Sequence, residues 1–286
     1  MSPNLTIKHA VVTGGSRGIG RAVAAKLARD GYEVMIVARD QGAISGACAE
    51  IGAQTGRRTL GCAADLSEAG AAEVVKAAVL RAFGGLHVLV NNAGATKRGA
   101  WQEMSEEDWR AGFALKFFGA ERLSRALWPM LRESRGAIVN VIGVGGRTPS
   151  ADFTIGSSVN AACMALTKAL ADQGITDGVR VNAVNPGMIA TGRLGRWIAA
   201  LAQAEGITLD EAEKRLPKSM GIARVGQPEE IAAAVAFLAG EEAGYCQGTI
   251  MDVDGGRTRV IAHPCLRPAI YAVGKMGVPA RAACRA

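Results

Sequence analysis

The sequence is short of several things, and each shortage removes a class of protein. No run of about 18 uninterrupted apolar residues occurs, so no membrane-spanning helix is expected. The opening MSPNLTIKHAVVTGG is too short and polar ahead of its apolar run to read as a secretory leader. That run leads straight into a glycine loop, as a first buried strand does. Histidine occurs at 9, 87 and 263 only, and the six cysteines form no CxxC and no Cys/His cluster of zinc spacing, so no metal site is expected. Cys62 and Cys163 lie in apolar contexts and read as buried thiols, the pattern of a reducing cytoplasm. The net charge is +7, yet no run of five or more Lys and Arg occurs. Scattered charge speaks against nucleic acid as a partner and fits an anionic nucleotide or an acidic substrate. Tyrosine is as scarce as histidine, at Tyr32, Tyr245 and Tyr271 only.

What is there is an alternation. Apolar runs at 9–13, 33–38, 59–63, 86–90, 137–142, 180–185 and 249–253 read as strands. Helix-period segments fall between them at 18–30, 41–55, 67–83, 156–173 and 228–238, with a long helix from the Ser105 cap to about 132. Near-continuous apolar strands joined by helices predict an α/β, Rossmann-like, doubly wound parallel sheet of about seven strands with helices on both faces. Ligands of such sheets sit outside the carboxyl ends of the strands, where strand order reverses. Neither an internal repeat nor a low-complexity linker interrupts 1–256, which read as one domain. Two helical patches occupy 191–221, and 257–286 read as a C-terminal extension rich in Arg, Ala and Pro.

The loop VVTGGSRGIG, residues 11–20, joins the first strand to the first helix. Its glycines allow backbone N–H groups to approach a pyrophosphate at the helix N-terminus, where the dipole favours anions. The end of the second strand carries Ala38-Arg39 in place of the acid that would bind the ribose hydroxyls of NAD, and Arg17 lies in the loop. Two guanidinium groups suit a 2′-phosphate, so NADP(H) is the expected cofactor and NAD(H) the alternative.

These motifs resemble the short-chain dehydrogenase/reductase family, especially members similar to acyl-carrier-protein reductases. Gly14, Gly18 and Gly20 match its TGxxxGxG loop. Asp65-Leu66 matches its adenine-contacting pair, and Asn91-Asn92-Ala93-Gly94 its NNAG motif. Pro186, Gly187, Ile189 and Thr191 match its PGxxxT segment, and 224–230 and 254–256 its C-terminal landmarks. The resemblance covers about 9–257. It implies that Gly14, Ser16, Arg17, Gly18, Ile19, Gly20, Arg39, Asp65, Leu66, Asn91, Ala93, Gly94, Asn160, Pro186, Gly187, Ile189 and Thr191 face the cofactor. It also implies a lid over the substrate at 191–221, a soluble cytoplasmic enzyme and a homo-oligomer, tetramer or dimer.

The catalytic positions depart from the family. There a Tyr donates a proton to the substrate carbonyl, a Lys four residues on lowers the Tyr pKa, a Ser orients the carbonyl and an Asn holds a relay water. Counting from Thr167-Lys168, from VNVI and from Trp109 places these roles at Gly156, Asn160, Gly143 and Lys116. A rival register, with Phe153 and Ser157 at the Tyr and Lys positions, fails the spacing and restores no Tyr. Asn and Lys have thus changed places. Lys116 is the expected acid/base, its pKa lowered by burial. Asn160 would keep the ribose hydrogen bond, Phe153 would fill volume vacated by Tyr, and Thr154, Ser157 and Ser158 are hydroxyls for orienting a substrate. The alternative has Lys116 snorkelling to solvent or paired with an acid. The lid mixes Trp197, Ile198 and Leu201 with Arg193, Arg196, Lys214, Arg215 and Lys218, which suits an acidic or amphipathic small molecule, although a plain surface hairpin has the same pattern. Two functions follow: an NADP(H)-dependent oxidoreductase for a carbonyl or alcohol, or an NADP-binding sensor or structural subunit without turnover.

Overall fold

The computed structural model describes residues 7–259, so most of the 257–286 extension lies outside the described residues. Seven strands form one parallel sheet in the order β3-β2-β1-β4-β5-β6-β7. They are β1 (His9–Thr13), β2 (Glu33–Ala38), β3 (Thr59–Ala63), β4 (Val88–Asn91), β5 (Ala137–Val141), β6 (Arg180–Pro186) and β7 (Ile250–Val253). The order reverses between β1 and β4, which pair in parallel through Ala10–Val88, Val11–Leu89 and Val12–Val90. A crevice therefore opens beyond their carboxyl ends.

Strand residues alternate between two cores, as a pleat requires. Ala10, Val12, Val34, Ile36 and Val90 pack under α1 (Gly18–Arg29), α2 (Gln41–Thr55) and α9 (Pro228–Ala239). Val11, Met35, Leu89, Ile138 and Val181 pack against α3 (Ala71–Phe83) and α5 (Gly119–Glu133) on the other face. The third helix starts later than the expected 67, because Asp65 accepts from both the backbone N and Oγ of Ser67 and holds a turn there. Conversely α6 (Thr154–Asp177) begins two residues before the expected 156.

The expected long helix from Ser105 is not continuous. A capping box of Ser105 with Asp108 starts α4 (Glu106–Phe113), a π-helical turn follows at Ala114–Phe118, and α5 resumes at Gly119. Gly119 permits this path, since a Cβ there would stand 2.9 Å from the Leu66 carbonyl oxygen. The 191–221 segment forms α7 (Gly192–Glu205) and α8 (Leu209–Ser219), a hairpin with its own small core of Leu194, Ile198, Ala202, Ala212 and Leu216. No helix among the described residues is long and apolar enough to cross a membrane.

Candidate active site

The floor of the crevice is backbone. Gly14 turns at φ +64° and donates its N–H to the Val37 carbonyl at 2.7 Å. Gly18 opens α1 at φ +55°. A Cβ on Gly20 would lie 2.2 Å from the Gly14 carbonyl oxygen, so the turn closes only around glycine. Thr13 Oγ1 accepts from the N–H groups of Asn92 and Ala93, at 2.8 and 2.9 Å, and Asn92 Nδ2 donates to the Thr13 carbonyl at 2.9 Å. These bonds fasten the end of β4 to the glycine loop. Asn92 is therefore the fastening residue, while its neighbour Asn91 is buried in the sheet, where Nδ2 donates to Ser124 Oγ and Asn140 Oδ1. Asn91 thus uses its amide within the sheet, among the residues that line the small cavity beside Lys116.

The rest of the glycine loop and the ends of β2, β3 and β6 bring the remaining expected cofactor positions to the same crevice. Arg17 is exposed, Ser16 and Ile19 are half-buried, and Ile19 rests on the core. Arg39 is exposed and lies 3.7 Å from Asp65 across the ends of β2 and β3. The Asp65 carboxyl is held below its ordinary range, chiefly by its bonds from Ser67 and then by Arg39. Leu66 is buried beside Gly119. Pro186 ends β6, and Gly187 packs so closely on Asp254 that a Cβ would stand 2.7 Å from its Cα. Ile189 bridges to Gly226, and Thr191 precedes α7 with its methyl 3.4 Å from where a Gly18 Cβ would be.

The four altered positions do converge. Lys116 rises from the π-helical turn, and its stem passes over Gly94, where a Cβ would lie 2.9 Å from Lys116 Cδ. Its Nζ donates to the Ile142 carbonyl at 2.5 Å and to Asn160 Oδ1 at 2.6 Å. The amine does not snorkel outward, and among the described residues it meets no carboxylate. Burial pushes its pKa down to about 8, Cys163 opposes the shift and Arg193 adds to it. An ammonium can only donate, so Asn160 must turn Oδ1 to it and Nδ2 away. That Nδ2 stands 3.2 Å from where a Gly143 Cβ would be, and 3.4 Å from the equivalent point at Gly145. The amide donor thus occupies space that a side chain at 143 would otherwise enter. Gly143 itself has φ +135°, a backbone state that disfavours a serine.

Phe153 fills the place left at Gly156, since a Cβ there would stand 2.0 Å from Phe153 Cζ. The guanidinium of Arg98 lies over the Phe153 ring at 4.1 Å and faces Trp197 of α7 at 5.9 Å, and Arg98 also pairs with Asp152. Ser157 is buried one turn before Asn160, and its Oγ has no partner among the described residues. On the hairpin the cations divide. Lys214 pairs with Asp210, and Arg215 lies near Glu205 and Glu211. Arg193 instead crosses to the Gly94 carbonyl at 2.7 Å. The sequence offered no signal for that contact, nor for the Ile142 carbonyl as the acceptor of Lys116. The Asn in front of Ala93 was a signal for the fastening role of Asn92 that motif matching alone left unused.

Comparison with known proteins agrees with this architecture. The family described as enoyl-(acyl carrier protein) reductase matches residues 14–258. A 3-oxoacyl-acyl-carrier-protein reductase of Vibrio cholerae is 36% identical over 259 residues, covering 88% of this chain and 98% of its own. The L-sorbose reductase of Gluconobacter frateurii, solved with NADPH and L-sorbose, superposes with a TM-score of 0.86 at 32% identity, over 91% of this chain and 100% of that one. An NADPH-bound short-chain oxidoreductase of Pseudomonas aeruginosa PAO1, described as containing an atypical catalytic centre, gives 0.81 at 31% identity, over 89% and 98%. With a seven-stranded parallel sheet, a glycine-cradled crevice and relatives of this similarity along most of its length, the chain belongs to the short-chain dehydrogenase/reductase family.

Proposed function

We propose that the protein is an NADP(H)-dependent oxidoreductase that interconverts a carbonyl and an alcohol through Lys116. The single observation that carries this is the buried amine of Lys116, with two acceptors fixed on it and its pKa lowered to about 8. The glycine cradle fits a dinucleotide, because Gly14, Gly20 and Gly187 leave no room for side chains where backbone must approach. Arg17 and Arg39 supply cations for a 2′-phosphate. When bound, the reduced nicotinamide would supply the hydride for the carbonyl carbon.

With two of its N–H bonds directed to Ile142 and Asn160, Lys116 has a single direction left. In the charged form a proton lies there, and in the neutral form a lone pair. This is what a general acid and base near neutral pH requires. Asn160 Nδ2, facing Gly143, donates to the substrate oxygen and polarises the carbonyl, in place of the hydroxyl that Gly143 lacks. In reduction Lys116 protonates that oxygen and is left as the amine, which regains a proton from solvent. In oxidation it takes the alcohol proton. Ser157 has only its unpartnered hydroxyl in support of a substrate-orienting role. For substrate, Arg98 and Trp197 at the mouth favour a small molecule that is acidic or amphipathic.

A second reading, cofactor binding without turnover, is favoured by Phe153, whose ring covers Gly156 where the family's proton donor stands. The test is NADPH and NADH titration followed by turnover on aldehydes, ketones and acyl thioesters. Tighter binding of NADPH with turnover that Lys116→Met abolishes is the expected result. Tight binding with no turnover on any carbonyl class supports the second reading, and no binding of either nucleotide overturns both.

A further inference from the structure

Arg193 stands in an electrostatically costly place. Its side chain leaves the first turn of α7 and ends on the Gly94 carbonyl, 99 residues away in sequence, at 2.7 Å. The charges of Arg196, Arg17 and Arg98 that act on it are all cations, and it acts in turn on the Lys116 amine. Loss of solvation around its guanidinium comes first among the causes that hold it below the ordinary value, and these three arginines add to it, although the residue as a whole is exposed. Of the neighbours, Arg98 has Asp152 as a counter-charge. Arg17 sits immediately before the N-terminus of α1, which is itself a positive end. The geometry also ties the start of α7 to that end, because the Thr191 methyl lies against Gly18. Like charges converging at a helix N-terminus call for an anion between them.

Two anions are chemically reasonable, a diphosphate on the glycine loop or an acidic group of a substrate. The placement selects the first. Thr191 lies on Gly18, and Arg17 at the head of the glycine loop is among the cations acting on Arg193, whereas Gly94, which also lies under the Lys116 stem, is shared by both sides. The substrate side of the mouth is marked instead by Arg98, held on Asp152, Phe153 and Trp197.

We infer that Arg193 is a cofactor-binding residue on the lid: its guanidinium exchanges the Gly94 carbonyl for the diphosphate of the dinucleotide and so couples α7–α8 to cofactor occupancy. This rests on the cofactor reading above but not on turnover. The bond exchanged is a neutral acceptor for a charged one, which is the stronger partner for a guanidinium.

The test is equilibrium binding to the full chain, wild type against Arg193→Ala, Arg193→Lys and the control Arg215→Ala. The probes are NADPH, 2′-phospho-ADP-ribose, which keeps the diphosphate and lacks nicotinamide, and adenosine 2′-monophosphate, which lacks the diphosphate. Arg193→Ala is expected to weaken the first two by the same factor, roughly tenfold, and to leave the third unchanged. Arg193→Lys should recover part of the loss, and Arg215→Ala should show none. NADPH should protect 192–219 from proteolysis in wild type and not in Arg193→Ala. Equal NADPH affinity in wild type and Arg193→Ala overturns the inference alone, as does an equal loss for all three probes. A raised carbonyl KM at unchanged NADPH affinity also overturns it, assigning Arg193 to substrate. Wild-type protein that takes up none of the three probes overturns the cofactor reading, and this inference with it.

Discussion

The two sides of the crevice are specified by different parts of the chain. On the cofactor side, the walls are main chain: Gly14, Gly18, Gly20 and Gly187 hold positions that a Cβ would strain or block, and Thr13 and Asn92 fasten one strand end to the next. On the substrate side, the proposed function rests on side-chain atoms, namely Lys116 Nζ, Asn160 Nδ2 and the Phe153 ring. A backbone cradle tolerates almost no substitution and so keeps a recognisable pattern. A side-chain constellation can be exchanged between facing helices, as we propose for Lys116 and Asn160, provided the polar atoms still meet. The difference explains how a chain of this family retains its glycine signature while lacking Ser, Tyr and Lys at the customary positions.

The largest effect that tests the contrast is at Lys116. Lys116→Met should lower kcat about 100-fold or more and leave NADPH affinity within about twofold. An equal loss of affinity would instead make Lys116 part of the cradle. Next is Gly20→Ala, in which the new Cβ falls 2.2 Å from the Gly14 carbonyl. It should weaken both NADPH binding and thermal stability, by about 1–3 kcal/mol for the latter, whereas a side-chain lesion such as Phe153→Ala should leave NADPH affinity within about twofold. Unchanged affinity in Gly20→Ala would show that the loop opens without cost.

pH separates the two sides further. Lys116 titrates at about 8 in the folded chain against 10.5 ordinarily. Reduction, which needs the ammonium, should fall as pH rises through about 8, and oxidation, which needs the amine, should rise through the same point. Stability follows a definite sign as well. Between about 8 and 10.5 the unfolded chain holds a proton at Lys116 that the folded chain has released, so unfolding takes up a proton and stability rises with pH. Below about 8 both states are protonated and the burial penalty is present in full. Denaturant titrations of wild type minus Lys116→Met should show that rise, and a flat difference would place the amine in open solvent. The smallest effect expected is Ser157→Ala, within about threefold in kcat. A loss comparable to that of Lys116→Met would move the proton donor to Ser157.

Much of this was legible in the sequence, for stated physical reasons. The strands β1, β2 and β4 announce themselves as buried apolar runs bounded by polar turns, and parallel order follows from the helices between the strands. That Lys116 and Asn160 face one another was legible because each lies at a fixed spacing from a recognisable strand or helix. The π-helical turn at Ala114–Phe118 was not, since one extra residue in a turn leaves the apolar pattern of the long helix nearly intact. That turn also leaves the Lys116 carbonyl for Cys163 Sγ to donate to, at 3.7 Å. Asn91 shows the opposite limit. Its motif suggested the mouth, and its burial beside Ser124 and Asn140 depends on pleat direction, which a motif does not encode.

The hairpin α7–α8 has a hydrophobic centre of its own, from Leu194 and Ile198 to Leu216, and the pairing of Ile189 with Gly226 clamps its base. A segment built this way is a paddle with a stiff blade and a short axle. Its helices should exchange their amide protons together, as one cooperative block below the stability of the sheet. A push on the first turn of α7 would then be felt at the far tip near Glu205, because a stiff blade turns as a whole.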